Sequence, residues 1–270
     1  MISYEDVLQA AARLDGVAHR TPVLTSTGLD QRVGANIFLK AENLQRVGAF
    51  KFRGAYNRIC RLTTDEKKRG VVTASSGNHA QAVALSATLM GTTSRILMPR
   101  DAPPIKVAGV QGFGGEVVPF DRYKDDREEL LRRLAEDDGR VVVHPYDDEY
   151  VMAGQGTCVK ELIEDAGPLS HVFVCVGGGG LIAGCSTAAK ALNPDIKVIG
   201  VEPEAGNDVQ QSLRTGQRVT IPVPDTIADG QQTTAPGRMT FPVIQRHVDE
   251  RWELYGELAR GESPALSPTS

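Results

Sequence analysis

From residue 71 to residue 213 the chain repeats one pattern: a short apolar run, a turn, then a longer stretch of helical periodicity. The apolar runs lie at 71–74, 95–98, 116–119, 141–143, 171–176 and 197–201. The helical stretches lie at 78–90, 103–111, 123–136, 150–164, 181–192 and 208–213. A strand that reaches its neighbour through a helix must run parallel to it. Parallel strands are buried on both faces by helices, and ligands bind beyond their carboxyl ends. The runs are too many for one tidy sheet. The expected fold is therefore α/β, with two open twisted parallel-sheet lobes and helices on both faces. Upstream, residues 4–14 read as an amphipathic helix with Val7, Leu8, Ala11 and Leu14 on one face. Residues 37–39 read as a short strand and 53–62 as a helix.

Composition narrows the class. A chain of 270 residues has room for a sizeable core. Its net charge of −4 supplies no basic field for nucleic acid or an anionic membrane. No apolar run approaches a membrane span, and MISYEDVLQA lacks a basic-then-apolar leader, so a cytoplasmic protein is expected. Cys60, Cys158, Cys175 and Cys185 show no CxxC spacing and read as buried thiols, Cys175 within an apolar strand. The 28 glycines exceed the average of roughly 7%, which points to loops that approach a ligand closely.

Three stretches carry chemistry. In Gly48-Ala49-Phe50-Lys51-Phe52-Arg53-Gly54-Ala55, one lysine sits between two aromatic rings. Burial beside such rings lowers a lysine's pKa and readies its amine to form an imine with an aldehyde. The plainer alternative is a lysine that snorkels from a helix start, its stem lying on Phe52. In Thr73-Ala74-Ser75-Ser76-Gly77-Asn78-His79, a strand turns into a helix. Two hydroxyls, a glycine and the open N–H groups of a helix start suit a carboxylate. A simple helix cap by Ser75 or Ser76 is the alternative there. In Val176-Gly177-Gly178-Gly179-Gly180-Leu181, a strand again meets a glycine turn and a helix. Consecutive backbone N–H groups at a helix start suit a phosphate. The turn lacks both the P-loop lysine and the spaced GxGxxG of dinucleotide folds.

An imine-forming lysine, a carboxylate loop and a phosphate cup together describe pyridoxal phosphate holding an amino acid. The chain resembles the fold-type II pyridoxal-phosphate enzymes, in particular the serine/threonine dehydratases and the similar serine racemases. AFKFRGA, SSGNHAQ and VGGGGLIAG carry the resemblance. His144-Pro145, Gly154-Gln155-Gly156-Thr157, Val201-Glu202-Pro203 and Thr226-Ile227-Ala228-Asp229-Gly230 extend it in the same order. The resemblance implies a tryptophan synthase β-like fold. Its large cofactor domain would comprise residues 1–61 and 149–270, and its small substrate-loop domain residues 70–147. It implies that Lys51 carries the cofactor imine, with Phe50 near the ring and Asn78 bonding the ring hydroxyl. Ser75, Ser76 and Gly77 would hold the substrate carboxylate, with Ser76 as an acid/base candidate facing the ring. Gly177, Gly178, Gly179, Gly180 and Leu181 would hold the phosphate, and Gly230 would lie against the ring. Mg2+ or another divalent cation is implied at Glu202, Gly206 and Asp208. Two solvated acids at a helix start are the alternative reading of Glu202 and Asp208. Arg127 matches an arginine of some racemases, but within DDREELLRR it reads as a helix-surface ion pair.

The implied activity is conversion of L-threonine or L-serine to a 2-oxo acid and ammonia, in a homodimer. Serine racemisation and 3-hydroxyaspartate elimination are the related alternatives. The resemblance runs through about residue 248. Residues 250–270 (ERWELYGELARGESPALSPTS) depart from it, and 261–270 read as a disordered tail. The family pattern continues with a strand, a helix and a Ser-Gly-Gly-Asn turn facing the pyridine nitrogen. The large lobe is therefore expected to be short of a strand and a helix, through truncation or a frame change. An inactive relative that binds the cofactor weakly or acts as an interaction subunit is the competing class. A nucleotide-binding domain built on the tetraglycine is a third.

Overall fold

In the computed structural model of the chain, residues 1–121 and 123–254 are described. The first elements are α1 (Tyr4–Leu14), β1 (Val23–Leu24), α2 (Thr27–Val33), β2 (Leu39–Lys40), α3 (Lys51–Ile59) and α4 (Thr64–Arg69). There follow β3 (Val71–Ala74), α5 (Asn78–Leu89), β4 (Ser94–Pro99), α6 (Pro104–Gly112), β5 (Glu116–Phe120), α7 (Arg127–Asp137) and β6 (Val141–Val142). The last are α8 (Glu149–Ala166), β7 (His171–Cys175), α9 (Gly180–Leu192), β8 (Lys197–Pro203), α10 (Asp208–Thr215), α11 (Thr240–His247) and β9 (Glu250–Leu254).

Two parallel sheets result, as the βα alternation requires. The first has the order β5-β4-β3-β6, the second β7-β8-β9. Only β1 and β2 pair antiparallel among the described strands. Every residue of β3 is buried, which is why VVTA reads as a continuous apolar run and not as an alternation. One core lies on the first sheet and takes in Phe52, Ala55 and Ile59 of α3 with Val83 and Ile96. A second lies on the other sheet, around Val172, Val174, Ile182, Val198 and Ile244. Helix α3 packs against both α5 and α8, and α8 packs against α9. A Cβ on Gly154 would press on the carbonyl of Arg53, and one on Gly184 would overlap that of Met152. Backbone-to-backbone contact at these crossings fixes the start of α3 relative to the start of α9.

Three expectations need correction. The buried face of α1 is Val7, Ala10 and Leu14, whereas Leu8 is 38% exposed. Positions 7, 10 and 14 follow a 3–4 spacing that turns Leu8 past the edge of the contact. The four cysteines are free, but Cys175 is exposed, because β7 alternates and its odd-numbered residues face away from the core. Finally, the segment from residue 250, where a strand is expected to be lacking, supplies one. Residues 250–254 form β9 and pair in parallel with 199–203 of β8. Residues 255–270, including the expected disordered tail, lie outside the described residues.

Candidate active site

Lys51 is the first residue of α3. A tight turn delivers it, in which Val47 adopts φ 58° and Gly48 φ 70°. A β-branched residue at positive φ is strained. The Lys51 ammonium donates to the carbonyl of Pro145 at 2.8 Å and stands 5.2 Å from the centre of the Phe50 ring. Burial lowers its pKa from 10.5 to about 8, against a weaker opposing effect of the Cys175 thiol. The neutral amine attacks aldehydes, so its fraction sets the rate of imine formation. Loading of the apo chain with pyridoxal phosphate is therefore expected to accelerate from pH 6.5 and level off above about pH 8. Stopped-flow absorbance checks this; a rise that continues toward pH 10 would mark an ordinary exposed lysine.

The second stretch forms the turn from β3 into α5. Gly77 donates its N–H to the Ser75 hydroxyl at 3.2 Å, and among the described residues no side chain caps the helix start at Asn78. The capping alternative therefore fails for Ser75, whose oxygen serves a turn one step earlier. The leading N–H groups of α5 have no intrahelical acceptor, which leaves them to a ligand. Below the turn, His79 is buried and bonds the Val143 carbonyl through Nε2 at 3.0 Å. Burial first, then the charge of Lys51, depresses its pKa to about 3, so this imidazole stays neutral.

The glycine turn lies at the carboxyl end of β7, and α9 begins at Gly180 without a side-chain cap. Gly179 has φ 94°, which L side chains rarely adopt. A Cβ on Gly178 would overlap the Tyr146 ring, and one on Gly179 would press on Thr240 and Ile244. Only glycines let these walls close around the turn. The Gly230 carbonyl faces Gly177, and Gln231 holds that loop in place by donating to the carbonyls of Val176 and Val201.

All three stretches open on one cavity of about 620 Å³, within the usual range of about 300–1,000 Å³ for small-molecule sites. Phe50, Lys51, Ser75, Ser76, Gly77, Asn78, the residues from Gly177 to Leu181, and Gly230 all line it. Two uncapped helix starts, Lys51, Lys106 and Arg127 make it attractive to anions. Arg127 does pair with Glu128, as its helical context suggests, yet both side chains border the cavity. Lys106 of α6 reaches Asp229 at 2.8 Å, an ion pair across the mouth. Sequence reasoning missed Lys106, Tyr146 and Asp229 as parts of the wall. The HPYDD stretch after β6, already noted for His144-Pro145, was the available signal for Tyr146.

Glu202, Gly206 and Asp208 are not in this cavity. They sit where β8 runs into α10. The Glu202 carboxylate accepts the N–H groups of Val209 (3.1 Å) and Gln210 (2.9 Å), acting as a cap for α10. Both acids are buried, so the reading of two solvated acids does not hold. Among the described residues, neither carboxylate oxygen of Asp208 has a hydrogen-bond partner beyond its own backbone, and burial raises its pKa to about 7.

A cavity with a low-pKa lysine and an open glycine cup fits pyridoxal phosphate, and comparison with known proteins decides the family. The model of the pyridoxal-phosphate-dependent enzyme family matches residues 14–270. The chain belongs to this family. It is 51% identical over 248 residues to a serine racemase of Schizosaccharomyces pombe, covering 92% of this chain and 77% of that protein. It is likewise 51% identical to an L-threo-3-hydroxyaspartate ammonia-lyase of Saccharomyces cerevisiae, covering 92% and 76%. An L-threonine ammonia-lyase of Thermotoga maritima is 45% identical, with 93% of this chain and 62% of that one covered. Among solved structures, maize serine racemase superposes with a TM-score of 0.93 at 40% identity, covering 96% of this chain and 78% of the other. A Dictyostelium discoideum serine racemase does so at 0.90 and 36%, covering 96% and 83%. These likenesses establish the two-lobed α/β fold of the family. No helix among the described residues is long and apolar enough to cross a membrane.

Proposed function

We propose that the chain is an ammonia-lyase that converts a β-hydroxy amino acid, L-threonine or L-serine, to a 2-oxo acid and ammonia. One observation carries this reading: the Lys51 amine, the Ser75–Asn78 turn and the glycine cup share a single cavity. Pyridoxal phosphate held there supplies an electron sink for the carbanion formed at the substrate Cα. Lys51 would hold the cofactor, and its amine, set in the cavity wall, would be the group that takes the Cα proton. Pro145 accepts a hydrogen bond from that amine and keeps it aimed into the cavity. The turn at Ser75, Ser76 and Gly77 orients the substrate by its carboxylate, and Asn78 holds the ring hydroxyl. The cup, from Gly177 to Leu181, takes the phosphate. Net, the Cα–H and Cβ–O bonds break and water leaves; the released enamine tautomerises and is hydrolysed, consuming that water.

Racemisation shares the first proton transfer, and the serine racemase relatives favour it as the second reading. Ser76 would then return the proton from the opposite face. The finer parts of the account belong here too. A large domain of residues 1–61 and 149–270 and a small one of 70–147 would flank the cavity. A divalent cation would use Asp208, whose buried oxygens have no hydrogen-bond partner among the other described residues, with Glu202 and the Gly206 carbonyl. A cytoplasmic homodimer follows the family resemblance.

The purified chain, loaded with pyridoxal phosphate and Mg2+, is to be assayed on L-serine, L-threonine and L-threo-3-hydroxyaspartate. A 2-oxo acid and ammonia in equal amounts is the expected result. Inverted amino acid without ammonia would establish the racemase reading instead. Visible cofactor absorbance with neither product would sink both.

A further inference from the structure

Residues 144–148 carry the chain from β6 into α8, and Pro145 and Tyr146 both border the cavity. Asp147, between them and the helix, does not border it. The Asp147 carboxylate instead accepts three backbone N–H groups at the start of α11. Arg238 donates at 3.0 Å, Met239 at 2.7 Å and Thr240 at 3.2 Å. The residue that precedes α11, Met239, provides no cap of its own. Asp147 therefore does from a distance what an N-cap side chain does locally.

Helix α11 and the segment that leads into it in turn grip the glycine cup. The carbonyl of Gly178 accepts the Thr240 hydroxyl at 2.8 Å and the Gly237 N–H at 3.1 Å. No described peptide is cis. In a trans peptide the carbonyl and the following N–H point in opposite directions. Holding the Gly178 carbonyl toward α11 thus turns the Gly179 N–H away from α11. Gly178 and Gly179 both line the cavity, so this peptide is part of its wall. A Cβ on Gly237 would overlap the Asp147 carboxylate, so the two are in close contact.

We propose that Asp147 is a positioning residue for the phosphate cup. It caps α11, α11 fixes the Gly178 peptide, and that peptide aims backbone N–H groups at the cofactor's phosphate. Tyr146, packed on Gly178, and Pro145, bonded to Lys51, tie the same short segment to the lysine end of the cavity. This inference rests on the pyridoxal-phosphate reading above and goes beyond it.

The test compares two aldehydes that differ in the phosphate alone. Pyridoxal phosphate and pyridoxal are titrated into the apo full-length wild type, Asp147→Ala and Asp147→Asn, and binding is followed by visible absorbance, with Lys51→Ala as background. Asp147→Ala is expected to weaken pyridoxal phosphate at least tenfold and pyridoxal less than twofold. Asp147→Asn, whose amide oxygen still accepts, is expected to recover most of the loss. Equal weakening of both aldehydes, or unchanged pyridoxal phosphate binding, would overturn the proposal. If Asp147→Ala does not fold, the isosteric Thr240→Val, which removes one bond to Gly178, must show the same selectivity for the phosphate-bearing aldehyde, and its absence overturns the proposal. A wild type that binds neither aldehyde would instead overturn the underlying cofactor reading.

Discussion

Lys51→Ala abolishes the visible absorbance of bound pyridoxal phosphate and lowers turnover by about 10³-fold or more, the combined loss of a covalent anchor and a general base. The size of the effect follows from geometry. Lys51 is the lysine at the helix start between the two anion-binding turns, held by Pro145 and partly deprotonated near neutral pH. Lys106 also borders the cavity, but Asp229 engages its ammonium at the mouth. Alanine removes the amine and leaves α3 intact, because alanine is a good helix former at that position. Cofactor absorbance and 2-oxo acid formation are measured on the same preparation. Elimination that survives within tenfold of wild type would assign the chemistry to another group.

Arg53→Met destabilises the fold by about 3–5 kcal/mol, the cost of leaving buried charge without its partner. Arg53 is fully buried two residues after Lys51. It forks onto Glu161 at 2.6 and 2.9 Å and onto Glu42 at 2.9 and 2.8 Å. Its guanidinium also donates to Thr157 and to the His19 carbonyl. Methionine matches much of the arginine stem but takes the guanidinium away from two partly buried carboxylates, of which Glu42 keeps the Thr21 hydroxyl at 2.6 Å. Lys40 stays beside Glu161 at 2.8 Å, so Glu42 bears more of the cost. Chemical denaturation with and without pyridoxal phosphate measures the change. A loss under 1 kcal/mol would show that the two acids find water or other donors when Arg53 is gone. Since Glu161 lies on α8 and Arg53 on α3, this clamp also sets the angle at which Lys51 enters the cavity.

Much of this was readable before any coordinates. Strands of a parallel sheet are buried on both faces, so VVTA and its counterparts stand out as unbroken apolar runs. The three site stretches were readable for a related reason. Each places its chemistry in consecutive residues at a strand-to-helix junction, where local sequence and local structure coincide. What escaped was long-range. Tyr146 lies on Gly178, far along the chain, and Asp147 caps a helix 93 positions away. No periodicity reports such contacts. Cys175 was misplaced because an apolar-looking run hid a strict alternation in β7. The 250–254 strand escapes a local reading because its partner is distant in sequence; β8 offers an edge that an extended segment can join. The acids at 202 and 208 read as an equivalent pair, yet one caps a helix and the other's carboxylate oxygens have no hydrogen-bond partner among the other described residues.

Borohydride reduction of the loaded wild-type chain, followed by peptide mass mapping, tests the central claim most directly. A single pyridoxyl-phosphate adduct on Lys51 is the expected result. An adduct on Lys106, or modification scattered over surface lysines with Lys51 unmodified, would contradict it.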